Sequence, residues 1–343
     1  MEEKEIINQD QEINQEQLNE EPLQEETNQE VVTEKQPDSL SSVIEIQKPA
    51  ADAKPYGEVV EEERAKVLAQ NKLSSRLSTI SIIVVLALAV TGIILLNMVP
   101  ILSYVLMGVA VVALIVFSIV IRRIARPDVQ GYIVKASTAI NEFTFADNRF
   151  SEVKYDPTDK LLLEDVSKDG AFSDLVRVAS RNVVEGLYKG NSFKVCETAF
   201  FKLNGKKQMP VFIGKYLSTT NDLHFEGRII LISKGDTDAD IPDGLGDLQQ
   251  VDNEGKFFAY APDEKAYKNL NAKFIKAIKA INVTKHLMNL TVIIWAGRTI
   301  VYASYDDPTI TLPFYEKYQP DTAVDYKNNL IELLEAIELL KKE

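Results

Sequence analysis

The chain has 343 residues, of which 26% are charged, with a formal net charge of −13, one cysteine and two histidines. The single thiol, Cys196, closes no internal disulfide, which fits a reducing compartment. With the distant His224 and His286 it furnishes neither a closed zinc site without carboxylates nor a convincing nucleophile–base pair.

Charge is concentrated at one end. Residues 1–60 hold sixteen Asp or Glu against four Lys, a net of −12, so the rest of the chain is nearly neutral. This stretch is rich in Gln and Asn, has Tyr56 as its one aromatic, and offers only scattered apolar pairs such as Ile6-Ile7 and Val31-Val32. That is too little apolar surface to offset the entropy of ordering a backbone. We expect a disordered acidic tail over residues 1–60, either a solvated, self-repelling tether or a segment that captures a basic partner. Its ending, Glu58 to Leu68, has helical composition and is expected to lead into the first membrane helix, with residues 61–76 as the juxtamembrane segment.

No charged residue stands between Arg76 and Arg122. Two apolar runs, residues 77–96 and 101–121, are joined by Asn97-Met98-Val99-Pro100. A helix rises about 1.5 Å per residue and about 20 apolar residues cross a bilayer core, so residues 77–121 are expected to form a transmembrane helical hairpin, with Pro100 opening its second helix. Two full-length runs argue against the alternative of a hairpin wedged into one leaflet. Arg64, Lys66, Lys72 and Arg76 precede the hairpin, Arg122, Arg123, Arg126 and Lys135 follow it, and the turn carries no Lys or Arg. Positive flanks stay on the cytoplasmic side, so a two-pass protein of the cell membrane with both termini cytoplasmic is expected. The first run lies behind an acidic stretch, unlike a cleaved leader. Counted outward from the turn, Ala89 falls opposite Gly108 and Ala87 opposite Ala110, a spacing that permits close approach. With no ionisable group inside it, the hairpin reads as an anchor rather than a proton relay or pore.

Residues 127–343 suffice for one substantial cytoplasmic domain. A helix is expected over 128–146, where Ile133, Ala136, Ile140 and Phe143 keep helical spacing. Strands are expected over 183–188, 192–201, 209–216 and 223–233, with Lys189-Gly190-Asn191 and Asn204-Gly205 supplying turn residues that tolerate positive φ. A short strand at 257–261 and a helix over 264–281 follow. A hairpin over 290–295 and 298–305 turns at Ala296-Gly297, and a closing helix is expected over 321–342. Strands grouped in consecutive hairpins predict an α+β fold: a two-helix transmembrane hairpin followed by an antiparallel-sheet domain with flanking helices.

Several short motifs fit a known pattern. Arg181-Asn182-Val183-Val184-Glu185-Gly186, Phe225-Glu226-Gly227-Arg228-Ile229, the stretch from Glu254-Gly255-Lys256 to Ala261-Pro262-Asp263, and Trp295-Ala296-Gly297-Arg298 resemble the bacterial family known as domain of unknown function 3137. The resemblance covers roughly residues 75–315. It implies architecture alone, a membrane hairpin before such a domain, and carries no activity and no catalytic residues.

No cofactor is implied by the chemical motifs. Gly205-Lys206-Lys207 lacks the first glycine and the hydroxyl of a phosphate-cradling loop, and Gly244-Leu245-Gly246 has Gln249 where a third glycine belongs. In Asp236-Thr237-Asp238-Ala239-Asp240, with Asp247 eleven positions after the first aspartate, alternating carboxylates could converge on calcium. Ile241 stands where the sharp turn needs glycine, and the other reading is a solvated acidic loop. Along residues 264–281, Lys265, Lys268, Lys273, Lys276 and Lys279 project to one face and Tyr267, Leu270, Phe274, Ile278 and Ile281 to the other. Those lysines could touch anionic lipid, each gaining up to about 1 kcal/mol near the surface, or could be the solvated side of a core helix. Nucleic acid is not expected, because the domain is not basic overall. In the closing helix Tyr326, Leu330, Leu333, Ile337 and Leu340 form a stripe that either its own domain or a second copy must cover, which leaves a homo-oligomer open.

These features favour a non-enzymatic module, anchored in the lipid bilayer, that binds or scaffolds an unidentified protein at the inner membrane face. The rival is a membrane-tethered enzyme acting through Asp236, Asp238 and Asp240, with or without a metal.

Overall fold

The computed structural model describes residues 43–49, 53–96, 99–124, 127–224, 226–234, 242–281, 287–305, 312 and 314–340. The greater part of the expected disordered tail, residues 1–42, lies outside the described residues, as do Asn97 and Met98 of the hairpin turn.

Helix α1 (Tyr56–Leu95) follows Pro55 and runs without a break for 40 residues; α2 (Pro100–Ile124) turns back along it. Both are long and apolar enough to cross a membrane. They touch at Gly92, where an added Cβ would lie 3.0 Å from the Met107 side chain, and the Ser103 hydroxyl donates to the Gly92 carbonyl at 2.5 Å. Gly108, expected opposite Ala89, has nothing within 4 Å of a would-be Cβ, because the helical phase turns it outward, whereas Ala110 is buried.

The first half of α1 belongs to the domain. Val60 and Val67 are buried, and the Tyr56 ring stacks on Phe143 at a centroid distance of 4.1 Å. The Tyr56 hydroxyl donates to the Pro320 carbonyl (2.8 Å) and Arg64 to the Phe314 carbonyl (3.1 Å). Residues 56–60 are therefore helix packed on the domain rather than tail, and residues 61–76 continue that helix into the first apolar run. Upstream of them, β1 (Ile44–Glu45) pairs with Tyr155 and Lys154, so a second described piece of the acidic stretch is also part of the fold.

After α2 come α3 (Val129–Phe145), capped by the Asp128 carboxylate, β2 (Phe150–Asp156) and the short α4 (Leu163–Asp169). Strands β3 (Leu175–Tyr188), β4 (Asn191–Asn204), β5 (Lys207–Thr220), β6 (Arg228–Lys234), β7 (Gln249–Glu254) and β8 (Phe257–Ala261) follow. Helices α5 (Glu264–Lys268) and α6 (Ala272–Ala280), strands β9 (Leu287–Trp295) and β10 (Arg298–Tyr305), and α7 (Asp321–Glu338) complete the fold. The strands form one antiparallel sheet in the order β1-β2-β3-β4-β5-β10-β9-β6-β8-β7. The chain is thus α+β, two long apolar helices followed by a 10-stranded sheet with flanking helices. Lys189 and Gly190 take φ of 48° and 85° between β3 and β4, the double positive φ of a two-residue hairpin turn.

Several elements depart from expectation. The helix expected over 264–281 is two helices, because the Asn271 side chain accepts the Lys273 amide (2.9 Å) and starts a new one. The strand expected from 223 begins at Arg228, because the Asn221 side chain holds the Leu223 amide (3.0 Å) in a turn. The ribbons of β3, β4 and β5 are each 14 residues long and reach well beyond their neighbours.

One sheet face is covered by α3, α6, α7 and the first half of α1 over a mixed aliphatic and aromatic core that includes Ile140, Val195, Leu217, Phe274, Ile278, Val292 and Leu330. The stripe of the last helix is spent here: Tyr326, Leu330, Leu333, Ile337 and Leu340 are buried within the chain. The other face carries a separate core, with Phe172, Phe200, Phe212 and Tyr302 in contact at ring-centroid distances of 5.0 to 5.7 Å.

Candidate functional site

Two polar clusters interrupt these cores. In the first, Arg228 opens β6, Trp295 closes β9 and Arg298 opens β10; the ladders pair both arginines with Trp295, so the three stand in one row across the sheet. Behind them Asp169 ends α4 with its side chain 2% exposed. Its carboxylate accepts from the Tyr302 hydroxyl (2.9 Å) and pairs with Arg298 (3.2 Å), which also donates to the Ser218 hydroxyl (3.0 Å) and to the Tyr216 hydroxyl. Arg228 lies over the Trp295 ring and donates to the carbonyls of Asp169 (3.2 Å) and Gly244. Gly170, at φ 68°, must be glycine, since a Cβ would collide with the Arg228 guanidinium.

Burial pushes the Asp169 carboxyl up to about 6, with Arg298 and Tyr302 drawing it back. Burial likewise raises the Tyr216 hydroxyl to about 12 and that of Tyr302 well above its ordinary value. At neutral pH the carboxylate is ionised, and the row acts as an ionic clasp that fastens α4 and the loop at Gly244 to the sheet. The Arg298 side chain is 40% exposed, and Arg228 and Trp295 are likewise only partly buried.

The second cluster sits under the helices. Glu197 of β4 and Lys215 of β5 are direct cross-strand partners, both buried. Glu197 accepts from Arg181 (2.6 Å) and Asn182 (3.4 Å), and the Tyr155 hydroxyl donates to Asn182 (3.0 Å). The Lys215 ammonium stands 3.2 Å from the centre of the Tyr326 ring. Burial pulls the Lys215 ammonium down to about 7, opposed by the nearby Glu197. Such a group can exchange a proton near neutrality, but α3 and α7 close over it, and only small cavities adjoin it. Cys196, beside it in sequence, is buried, and its thiol is pushed up by burial, so it is a core residue rather than a nucleophile.

Of the residues singled out from sequence, Asp236, Asp238 and Asp240 lie outside the described residues, and Asp247 is exposed next to Gly246. Among the described residues no group of three or more His, Cys, Asp or Glu gathers as for a metal ion. The five lysines are divided between two helices. Lys265 and Lys268 are on α5, Lys268 paired with Glu264 (2.6 Å); Lys273 and Lys276 are exposed on α6. Lys279 is drawn in against Asp252 (2.9 Å), Glu254 (2.7 Å) and the Phe257 ring. Opposite them Leu270, Phe274, Ile278 and Ile281 are core, as the helical pattern predicts. Asp169 and Lys215 had no local signature as site residues. Lys215 alone left a trace, a charge in the inward register shared with Leu217 and Thr219.

No family model matches the chain, and no curated protein or solved structure does so either.

Proposed function

We propose that the chain is a membrane-anchored module, of the architecture its motifs resemble, that holds a binding or scaffolding domain against the inner face of the cell membrane, with both termini cytoplasmic. The observation that carries this reading is the continuity of α1: one helix packs into the sheet domain at Tyr56, Val60 and Val67 and then supplies the apolar run from Leu77. The domain is therefore fixed in height and azimuth relative to the spans, as a scaffold requires. The flanking Arg and Lys residues set the orientation. The exposed lysines of α5 and α6, with α5 at the end of the sheet away from the spans, are the candidate contact for an acidic partner.

Topology tests this reading first. A reporter active only in the cytoplasm should work at either terminus, and one active only outside should work in the turn before Pro100. A C-terminal fusion that reports from outside would overturn the orientation and the inner-face assignment together. Capture of a stoichiometric partner by the detergent-solubilised chain would then identify what is scaffolded.

A further inference from the structure

The β4–β5 hairpin runs past β2 and β10, and β3 accompanies it on the β4 side as far as Lys202. Strand β10 stops pairing with β5 at Gly214, so the stretch from Lys207 to Ile213 has β4 as its only strand neighbour among the described residues. At its tip a two-residue turn, with Gly205 at φ 64°, is followed by Lys207, and Leu203, Met209 and Ile213 are 57%, 47% and 42% exposed. Leu203 pairs with Gln208 and Met209 with Lys202, so Leu203 and Met209 leave opposite faces of the ribbon. A finger with apolar residues on both sides and Lys206 and Lys207 at its end is a poor solvent-exposed edge.

Its height explains it. Phe145, at the end of α3, stacks on Phe193, near the start of β4 (5.7 Å). Eight residues back along α3, Ser137 lines the same small cavity as Glu197, four residues on along β4, so the two elements run side by side. At the far end of α3 the Asp128 amide donates to the Gln70 side chain of α1 (3.2 Å), and Lys135 pairs with Glu63, so α1 runs the same way. From Phe145 back to Asp128 is about 26 Å of helix, and from Gln70 on to Leu77 about 10 Å more. From Phe193 to Asn204 is about 36 Å of strand. Both paths end at one level, where the apolar run of α1 begins. The opposite turn, at Lys189, and α5, which follows β8 off the sheet level with Ser218 and Lys194, lie at the far end.

We propose that the β4–β5 tip rests in the bilayer interface, with Leu203 and Met209 entering the headgroup region and Lys206 and Lys207 held by lipid phosphates. The inference rests on the spanning reading of α1 and α2 and adds a second contact with the same bilayer. Apolar side chains beside lysines suit an interface whose inner leaflet is anionic, and each lysine shifts the contact equilibrium by about fivefold there.

The test uses the full chain in bilayer discs of mixed zwitterionic and anionic phospholipid. Cys196 is buried, so a fluorophore goes to an introduced cysteine at Leu203→Cys, Lys189→Cys or Ile83→Cys, read against a lipid carrying a headgroup-depth nitroxide quencher. Quenching at Ile83→Cys and Leu203→Cys but not at Lys189→Cys is the expected result. Quenching at Ile83→Cys with none at Leu203→Cys, or equal quenching at Leu203→Cys and Lys189→Cys, overturns the tip contact and leaves the spans standing. No quenching at Ile83→Cys overturns the spanning reading itself. Adding Lys206→Glu and Lys207→Glu should sharply reduce quenching at Leu203→Cys in anionic discs; no change there would remove the lysines from the proposal. All these positions are exposed, so the variants keep the fold.

Discussion

The two faces of the sheet are closed by different means. On one, α1, α3, α6 and α7 spread aliphatic and aromatic side chains over Val195, Leu217, Val292 and Val301, and the cover is held by area. On the other, the main helical cover is the short α4, and the aromatic core beneath it is sealed by a row of directional contacts from Arg228, Arg298 and Tyr302 to Asp169 and its neighbours. A face with several helices tolerates imprecise contacts and suffers from lost volume. A face closed by one short helix tolerates little displacement, because a few hydrogen bonds do the fastening.

Three substitutions can break or sharpen this contrast. Phe274→Ala empties a fully buried ring site on the helical face and should destabilise the chain by about 3 to 5 kcal/mol. Denaturation followed by circular dichroism measures this, and native fluorescence from Trp295, the one tryptophan, should stay unchanged because it belongs to the other face.

Lys215→Met tests the exception within the apolar cover. The folded ammonium titrates at about 7 against an ordinary 10.5. Between those values the unfolded chain binds a proton that the folded chain does not, so stability falls as pH drops from 10.5 to 7 and stays low below that. The methionine variant should gain about 2 to 4 kcal/mol at neutral pH, dwindling to nothing above the upper value. An equal gain at both ends of the window would show that Lys215 is not held by desolvation.

Gly170→Ala probes the fastened face. It combines backbone strain at positive φ with displacement of the Arg228 guanidinium, and should cost about 1 to 3 kcal/mol. Here the native emission of Trp295 should shift, since Arg228 lies over its ring. A loss of stability without that shift would mean the clasp is not what seals this face.

Much of this arrangement was legible from local signals. The apolar runs, the turns at Gly190, Gly205 and Gly297, and the buried stripes of Phe274 and Leu330 all express short-range periodicity. Elements without such a pattern were hidden: β7 is nearly all polar, as an edge strand can be, and β1 is two residues long. Asn269 and Asn271 sit within an otherwise helical pattern, and only the structure shows Asn271 as a cap. The clasp joins Asp169, Arg228 and Arg298 across long stretches of chain. The sequence marked the two arginines by their motifs, but what they hold depends on the register of β6, β9 and β10.

The unbroken α1 also makes the domain a lever. Between Val67 and Leu77 there is no proline or glycine, and the helix passes through Ser74-Ser75 without a break. A span that leaned to match a thinner or thicker bilayer would therefore carry the Tyr56 end of the helix with it. Over the roughly 30 Å from Tyr56 to Arg76, a lean of about 20° swings the far end of the helix by about 10 Å. With the run from Leu77 set in a bilayer as proposed, a change of thickness would displace Tyr56, Pro320 and everything packed on them sideways.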